Sequence, residues 1–324
     1  MIENITLLAG VVAFAMVATL CGCKPLSSAT AKQAGGLDQL REQLQQIADS
    51  ARGKVGIALI DAEGDTITVN NDDRYPMMSV FKLHESLAVA RELDKRGVSL
   101  DTIISFTRKE MNPDTWSPML KDYKGERIEL PVSELLRYII QESDNNASNL
   151  LFERIVSTEE TDRFIRQSTG IEDFAIKHTE AEMQIDHSLA EGNHGSPMAC
   201  ARLIKKVFSD SVVSPEKQRA IQGMLLGCQT GTDRLYVPLK GVEGVKLAHK
   251  TGSGYRDAAG RLTAHNDVGW IILPDGRSYA LAVLVKDFDG PDSSASALIA
   301  RISAAVYRHL TNSRKRGRGE RCKG

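Results

Sequence analysis

The chain has no surplus of either charge. Its 41 Lys and Arg against 42 Asp and Glu leave a formal net charge of -1 over 324 residues, so it lacks the broad basic field that draws a protein to nucleic acid. It has no Gly-rich phosphate loop and no dinucleotide fingerprint, which leaves no nucleotide cofactor to expect. His84-Glu85 lies in a helical stretch, but Ala88 stands where a zinc-binding His-Glu-x-x-His would need its second histidine. The 7 histidines, His178, His187, His194 and His249 among them, show no ligand spacing. No metal is implied, and structural or surface roles are expected for all of them. Cysteine is scarce as well. Of the 5 present, Cys21 and Cys23 fall in the N-terminal segment and Cys322 near the end. Cys200 and Cys228 alone could pair within the folded part, and two free thiols are at least as good an expectation. Internal repeats and low-complexity domains are absent.

Ile5 to Leu20 form an apolar run too short to span a bilayer comfortably. It ends in Leu20-Cys21-Gly22-Cys23 and gives way to Ser27, Ser28, Thr30 and Gly35-Gly36. Residues 1–22 therefore read as an export signal and 23–36 as a linker, with the periplasm as destination. The Leu-Cys-Gly-Cys end also resembles a bacterial lipoprotein cleavage box, which implies a lipid anchor on Cys23. Because Glu3 precedes the run and no Lys or Arg does, a plain signal and an uncleaved anchor remain alternatives. Residues 311–324 carry Arg314, Lys315, Arg316, Arg318, Arg321 and Lys323 against Glu320, with no apolar periodicity. A solvated, disordered tail is expected there rather than a nucleic-acid arm.

Between these ends, at 42% hydrophobic residues for the whole chain, residues 37–310 suffice for one domain with two lobes. Leu37 to Ala51 has a helical stripe through Leu40, Leu44 and Ile47. Val55 to Ile60 and Thr66 to Val69 flank Asp61-Ala62-Glu63-Gly64-Asp65 as a hairpin. Helices are expected at Ser79 to Leu93, in two segments of Leu130 to Ile155 joined through Ser143-Asp144-Asn145, and at Thr161 to Ser168, Ser196 to Phe208 and Ser214 to Leu226. Strands return at Val245 to His249, Asn266 to Leu273 and Tyr279 to Lys286, before a last helix at Ala295 to Leu310. Strands at both ends with helices between them predict an α/β (α+β) fold. Both ends of the domain would share one antiparallel sheet, flanked by helices, while the middle forms a helical lobe.

Three short motifs carry chemistry. Ser79-Val80-Phe81-Lys82 opens a helix, and a spacing of three residues puts the Lys82 amine beside the Ser79 hydroxyl, which needs a base to become a nucleophile. Ser143-Asp144-Asn145 and Lys250-Thr251-Gly252 follow in that order. Each arises often by chance; ordered and each in a fitting element, the set is specific. A site built from them would lie in the groove between sheet and helical lobe.

With Tyr75-Pro76-Met77-Met78-Ser79-Val80-Phe81-Lys82, Thr115-Trp116-Ser117-Pro118, Ser143-Asp144-Asn145-Asn146-Ala147-Ser148-Asn149 and Ala248-His249-Lys250-Thr251-Gly252-Ser253-Gly254 in view, the chain resembles the class A serine β-lactamases, and most of all their CfxA-type cephalosporinase branch. The resemblance covers about Leu37 to Leu310. It implies the five-stranded sheet of the β-lactamase and transpeptidase fold, a cofactor-free monomer and β-lactam antibiotics as substrates. Ser79 is implied as nucleophile, with the backbone N–H groups of Ser79 and Ser253 as oxyanion hole. Lys82 is implied to accept or relay the proton, Lys250 to lower its proton affinity, and Ser143 to protonate the leaving nitrogen. Asn145 would hold the substrate side-chain amide while Asp144 braces its loop. Lys250, Thr251, Ser253 and Arg234 would bind the substrate carboxylate. A surface Arg is an equal alternative for Arg234. Trp116 would wall the pocket mouth, with a half-buried core position as its alternative.

Glu180, in Thr179-Glu180-Ala181-Glu182-Met183-Gln184, is implied as the base that activates the deacylating water, with Gln184 as that water's amide partner and Glu182 as the rival base. This departs from the commoner Glu-x-x-Leu-Asn of the family, since Gln is one methylene longer than Asn. Met78 stands where many relatives carry a cysteine. A penicillin-binding DD-peptidase would share the serines and lysines but lack an efficient deacylating base, and a non-catalytic envelope lipoprotein would have lost at least one of them.

Overall fold

The computed structural model describes residues 28–321, with side chains from 36 to 312. The segment expected to be an export signal, with Cys21, Cys23 and Cys322, lies outside the described residues. Five antiparallel strands form the main sheet: β1 (Lys54–Ile60), β2 (Thr66–Val69), β3 (Lys246–Ser253), β4 (Leu262–Ile272) and β5 (Ser278–Phe288), in the order β2-β1-β5-β4-β3. The two ends of the domain meet where β1 pairs with β5, Ile57 opposite Val283. Joining them took no special motif, only two runs that are apolar on both faces.

Alternation along these strands splits the core in two. Ile57, Leu59, Val283 and Val285 face helices α1 (Ser28–Asp49) and α6 (Asp292–Arg321), packing on Leu40, Leu44, Ile299 and Val306. Ala58, Ile60, Ala282 and Leu284 face the other way, into the helical lobe. That is why Val55 to Ile60 reads as an unbroken apolar run and not an alternating one. The last helix continues past Leu310 to Arg321, so the backbone of the basic stretch expected to be disordered is helical that far.

The centre of the helical lobe is α2 (Lys82–Arg96), whose residues Lys82 to Ala90 are all buried. Over Lys82 to Ala90 the helix has no solvent face, so its polar residues Lys82, His84, Glu85 and Ser86 depend on partners inside the protein. Ser86 Oγ bonds back to Lys82 O at 2.6 Å, and Ser148 Oγ donates to Glu85 Oε2 at 2.7 Å. Ser79 itself lies one turn earlier than a regular α-helix begins, in a 3₁₀ turn over Met78–Phe81.

The strands differ from expectation at their polar ends. β3 extends four residues past His249 to Ser253, and β4 starts at Leu262 rather than Asn266. Lys250, Thr251, His265, Asn266 and Asp267 are buried and hydrogen-bonded to one another's neighbours across the fold. Their polarity hides the strand from any reading of apolar period, because their partners come from distant segments.

Candidate active site

Met78 has φ +47°, a left-handed backbone unusual for a side chain of its size. This kink sets Ser79 at the mouth of a cleft of about 410 Å³ lined by Ser79, Trp116, Ser143, Asn145, Glu180 and Arg234 among others. Lys82, on the next turn, donates to Ser79 Oγ at 3.1 Å, to Ser143 O at 2.8 Å and to Asn145 Oδ1 at 2.6 Å, and sits 2.9 Å from Glu180 Oε1. Every neighbour of its Nζ is an acceptor. In this arrangement Lys82 donates, and the Ser79 hydroxyl donates onward to Glu180 Oε1 at 3.2 Å.

Ser143 is delivered by an irregular turn. The chain widens into a π-turn over Tyr138–Glu142, and Ser143 follows at φ +62° before α3 (Asn145–Arg154) begins. Asp144, fully buried, caps α3 by accepting from Ala147 N at 2.9 Å, and also accepts from Met119 N and Ser117 Oγ, both at 2.8 Å. It therefore braces the loop with charge-assisted bonds. Asn145 holds Lys82 through Oδ1 and Thr115 Oγ1 through Nδ2, the latter at 2.9 Å.

Glu180 and Glu182 are separated by a helix cap. Thr179 caps the short helix α4 (Glu180–Ile185), accepting from Glu182 N, while the Glu182 carboxylate reaches back to Thr179 N at 2.8 Å. This reciprocal capping box holds Glu182 on the outside. Glu180, in the first turn and buried, is left to face Ser79 and Lys82. Asn193 ties the loop's stem, donating to His178 O at 2.7 Å and accepting from Lys177 N at 2.7 Å, while Met183 fills the apolar position beneath. Gln184 is exposed and lines the cleft.

The third wall is β3. Lys250, with no exposed surface, reaches Ser143 Oγ at 3.0 Å. Burial, together with the nearby Lys82 and Arg234 charges, lowers its pKa to about 7. Gly252 lets this strand pass Ser79: a Cβ there would lie 2.3 Å from Met77 O and 3.2 Å from Ser79 N. Thr251 Oγ1 pairs with Thr230 Oγ1 at 2.6 Å, and both line the cleft. Arg234 is buried, not a surface residue. It donates to Asn266 O at 2.7 Å, to Gly252 O at 3.2 Å and to Ser253 Oγ at 2.6 Å, so it orients Ser253 as well as adding charge.

Trp116 is 56% exposed at the cleft mouth, its indole N–H bonded to Glu142 O at 2.9 Å and Lys121 over its ring. It is thus no core residue. Opposite, His187 stacks on Tyr255 with centroids 4.1 Å apart, linking the Glu180 loop to the end of β3. The sequence offers no signal for His187, Tyr255 or Thr230 as lining residues. Nor does it signal the pairing of His249 Nδ1 with Asp267 Oδ1 at 2.8 Å. Cys200 and Cys228 are both free thiols.

An antiparallel sheet, a helical lobe and a cleft between them holding Ser79, Lys82, Ser143, Glu180 and Lys250 define the class. Crystal structures of the same architecture include TLA-3 extended-spectrum β-lactamase, with TM-score 0.81 and 31% identity over 84% of this chain and 98% of that one. A class A β-lactamase from Bacteroides cellulosilyticus DSM 14838 gives TM-score 0.80 and 29% identity over 86% of this chain and 99% of that one. A β-lactamase of Phocaeicola vulgatus is 48% identical over 268 residues, 83% of this chain and 84% of that protein. Residues 39–310 match the family described as "Beta-lactamase enzyme family". The chain belongs to that family and is a class A β-lactamase, a hydrolase of β-lactam antibiotics of the kind that confers resistance to them.

Proposed function

We propose that this hydrolase opens the lactam ring through a Ser79 acyl-enzyme. The observation that carries the reading is the pair of contacts at one oxygen: Ser79 Oγ accepts from Lys82 at 3.1 Å and donates to Glu180 at 3.2 Å. The hydroxyl thus has an acceptor for its proton before it attacks, and Glu180 takes that proton as Oγ bonds to the lactam carbonyl carbon. The amides of Ser79 and Ser253 receive the developing oxyanion. When the C–N bond breaks, the lactam nitrogen takes a proton from Ser143, which Lys250 supports through its 3.0 Å bond. The proton that Glu180 took from Ser79 passes by way of Lys82 to replace the one Ser143 gave up. Glu180, a carboxylate again, draws a proton from water as that water attacks the ester and returns it to Ser79 Oγ as the ester C–O bond breaks. Thr251, Ser253 and Lys250, with Arg234 behind them, hold the substrate carboxylate, and Trp116 and Gln184 border its side chain.

Cephalosporins are proposed as better substrates than carbapenems, supported by resemblance to the cephalosporinase branch. Action outside the cytoplasm, with Cys23 as a lipidated anchor, is supported by the Leu20-Cys21-Gly22-Cys23 pattern.

Intact-mass spectrometry after mixing with a cephalosporin tests the mechanism. Ser79→Ala should form no adduct, and Glu180→Gln should acylate more slowly yet accumulate a stable adduct while the parent turns over. Parental turnover by Glu180→Gln, or an adduct on Ser79→Ala, would overturn the assignment.

A further inference from the structure

The pair of helices α1 and α6 gives the molecule two distinct ends. Lys54 on β1 pairs with Lys286 on β5, Lys286 lies opposite Ala264 on β4, and Ser253 on β3 pairs with His265. β1 therefore begins at the end of the sheet where β3 finishes beside the cleft. Asp289 N donates to Arg52 O at 2.7 Å, and Arg256, just past β3, pairs with Asp292. Helix α1 thus ends, and α6 begins, at the cleft end. The other end is marked by Arg277, in the turn between β4 and β5, which donates to Leu310 O at 3.1 Å, and by Gly36, where a Cβ would lie 3.4 Å from the His309 ring. The two helices run antiparallel along one face of the sheet, while the helical lobe, with α5 (Pro215–Leu226) against β3, covers the opposite face.

Leu310 marks where the sheet stops, but α6 runs on to Arg321, a further ~16 Å of helix. Residues 314–324 hold six basic residues against Glu320, a net of +5, which leaves -6 on residues 1–313 of a chain at -1. Arg314, Arg318 and Arg321 are spaced by four and three, which puts them on one helical face. Helix α1 begins at this same end, and Cys23 stands five residues before Ser28, a reach of at most about 17 Å. A molecule charged in this way turns its basic end towards an anionic surface and the remainder away from it.

We propose that the basic end of α6 is a docking surface for a membrane carrying anionic phospholipid, and that it holds the substrate cleft away from that membrane. The inference extends the reading of Cys23 as a lipidated anchor, because the anchor and the basic face leave the molecule at one end. Arginine and lysine are drawn to a layer of lipid phosphates, and a guanidinium donates to two phosphate oxygens at once. That attraction fades over about 10 Å at 0.1 M salt. From Asp292 to Leu310 helix α6 is ~27 Å long. The cleft at its far end is therefore outside the surface potential, and an antibiotic carboxylate reaches it without entering the anionic layer.

The test uses the full chain and sedimentation with vesicles of phosphatidylcholine, alone or with about one third phosphatidylglycerol. The apolar run of Ile5 to Leu20 enters both kinds alike and cancels in the ratio of the two affinities. At about 0.1 M salt the parent should prefer the anionic vesicles by roughly tenfold or more, and about 1 M salt should abolish the preference. The combined variant Arg314→Gln, Arg318→Gln and Arg321→Gln should lose most of the preference while hydrolysing a cephalosporin at the parental rate. Parent protein bound to anionic vesicles should keep the kcat/KM of the free enzyme. Equal affinity for both vesicles, a preference that the triple variant retains, or tighter binding to duplex DNA than to the anionic vesicles would overturn the docking surface. Loss of hydrolysis on the anionic vesicles would overturn the orientation. Cys23→Ser should keep the preference. An unlipidated Cys23 in exported protein would thus refute the anchor while the docking surface stands, and a lipidated Cys23 without the preference would do the reverse.

Discussion

Lys250 and Ser143, 107 residues apart in the chain, meet through a 3.0 Å hydrogen bond from the Lys250 ammonium to the Ser143 hydroxyl. One cation thereby serves both the proposed proton donor and the substrate carboxylate. Burial first, then the Lys82 and Arg234 charges, bring its pKa down to about 7, against the opposing pull of Cys228 and Glu180. The sign follows directly: Lys250 is an ammonium below that pH and an amine above it. For an anionic cephalosporin, kcat/KM should fall above about pH 7 by up to roughly tenfold per unit. A bound carboxylate stabilises the ammonium, so the limb in kcat should lie at higher pH. Lys250→Arg, which keeps its charge, should flatten the profile; a parent profile flat from pH 6 to 9 would count against the assignment.

Gly252 sets how closely β3 approaches Ser79. A methyl group there meets Met77 O at 2.3 Å and Met78 Cβ at 3.1 Å, backbone and a strained neighbour that have little room to move. Gly252→Ala should cost about 1–3 kcal/mol of stability through overpacking. It should lower kcat/KM by on the order of a hundredfold, since it displaces the Ser79 backbone. Steady-state kinetics beside a urea denaturation curve separate the two effects.

Asp144 is the brace of the Ser143 loop, accepting from Ser117, Met119 and Ala147 with no exposure to water. Removing it strands three buried donors and the cap of α3 together. Asp144→Ala should lose about 3–5 kcal/mol, read as a lower urea midpoint, with kcat falling at saturating substrate because Ser143 is no longer fixed.

The pair of His249 and Asp267 predicts a pH-dependent stability. The folded pKa of His249 is raised to about 10, above the ordinary value of about 6.5. Its contribution is therefore complete below pH 6.5 and is lost as pH rises through 10. Asp267→Asn leaves a buried charge unpaired and should cost about 3–5 kcal/mol near neutral pH. The gap between parent and variant in urea midpoint should shrink between pH 7 and 10; a gap that widens would contradict the pairing.

Much of the site could be read from spacing alone. Ser79 and Lys82 are neighbours because helical geometry puts residues three apart side by side, whether the first turn is α or 3₁₀. The cap that distinguishes Glu180 from Glu182 is also written locally, as Thr179 followed three residues later by a glutamate. The polar halves of β3 and β4 were not legible. Lys250, Asn266 and Asp267 break the apolar pattern, and what lets them lie buried is supplied by Arg234, His249 and Ser143 from elsewhere in the chain.

From its order of residues the chain determined which groups are present, their local pairings, and an architecture in which strands at both ends enclose a helical middle. Only the tertiary structure decided what those groups can do. It buried Lys250 beside other cations and His249 against Asp267, and chose Glu180 as the carboxylate facing Ser79. The physical reason is that proton affinity depends on the distance to charge and to water, and both are fixed by contacts between segments far apart in the chain.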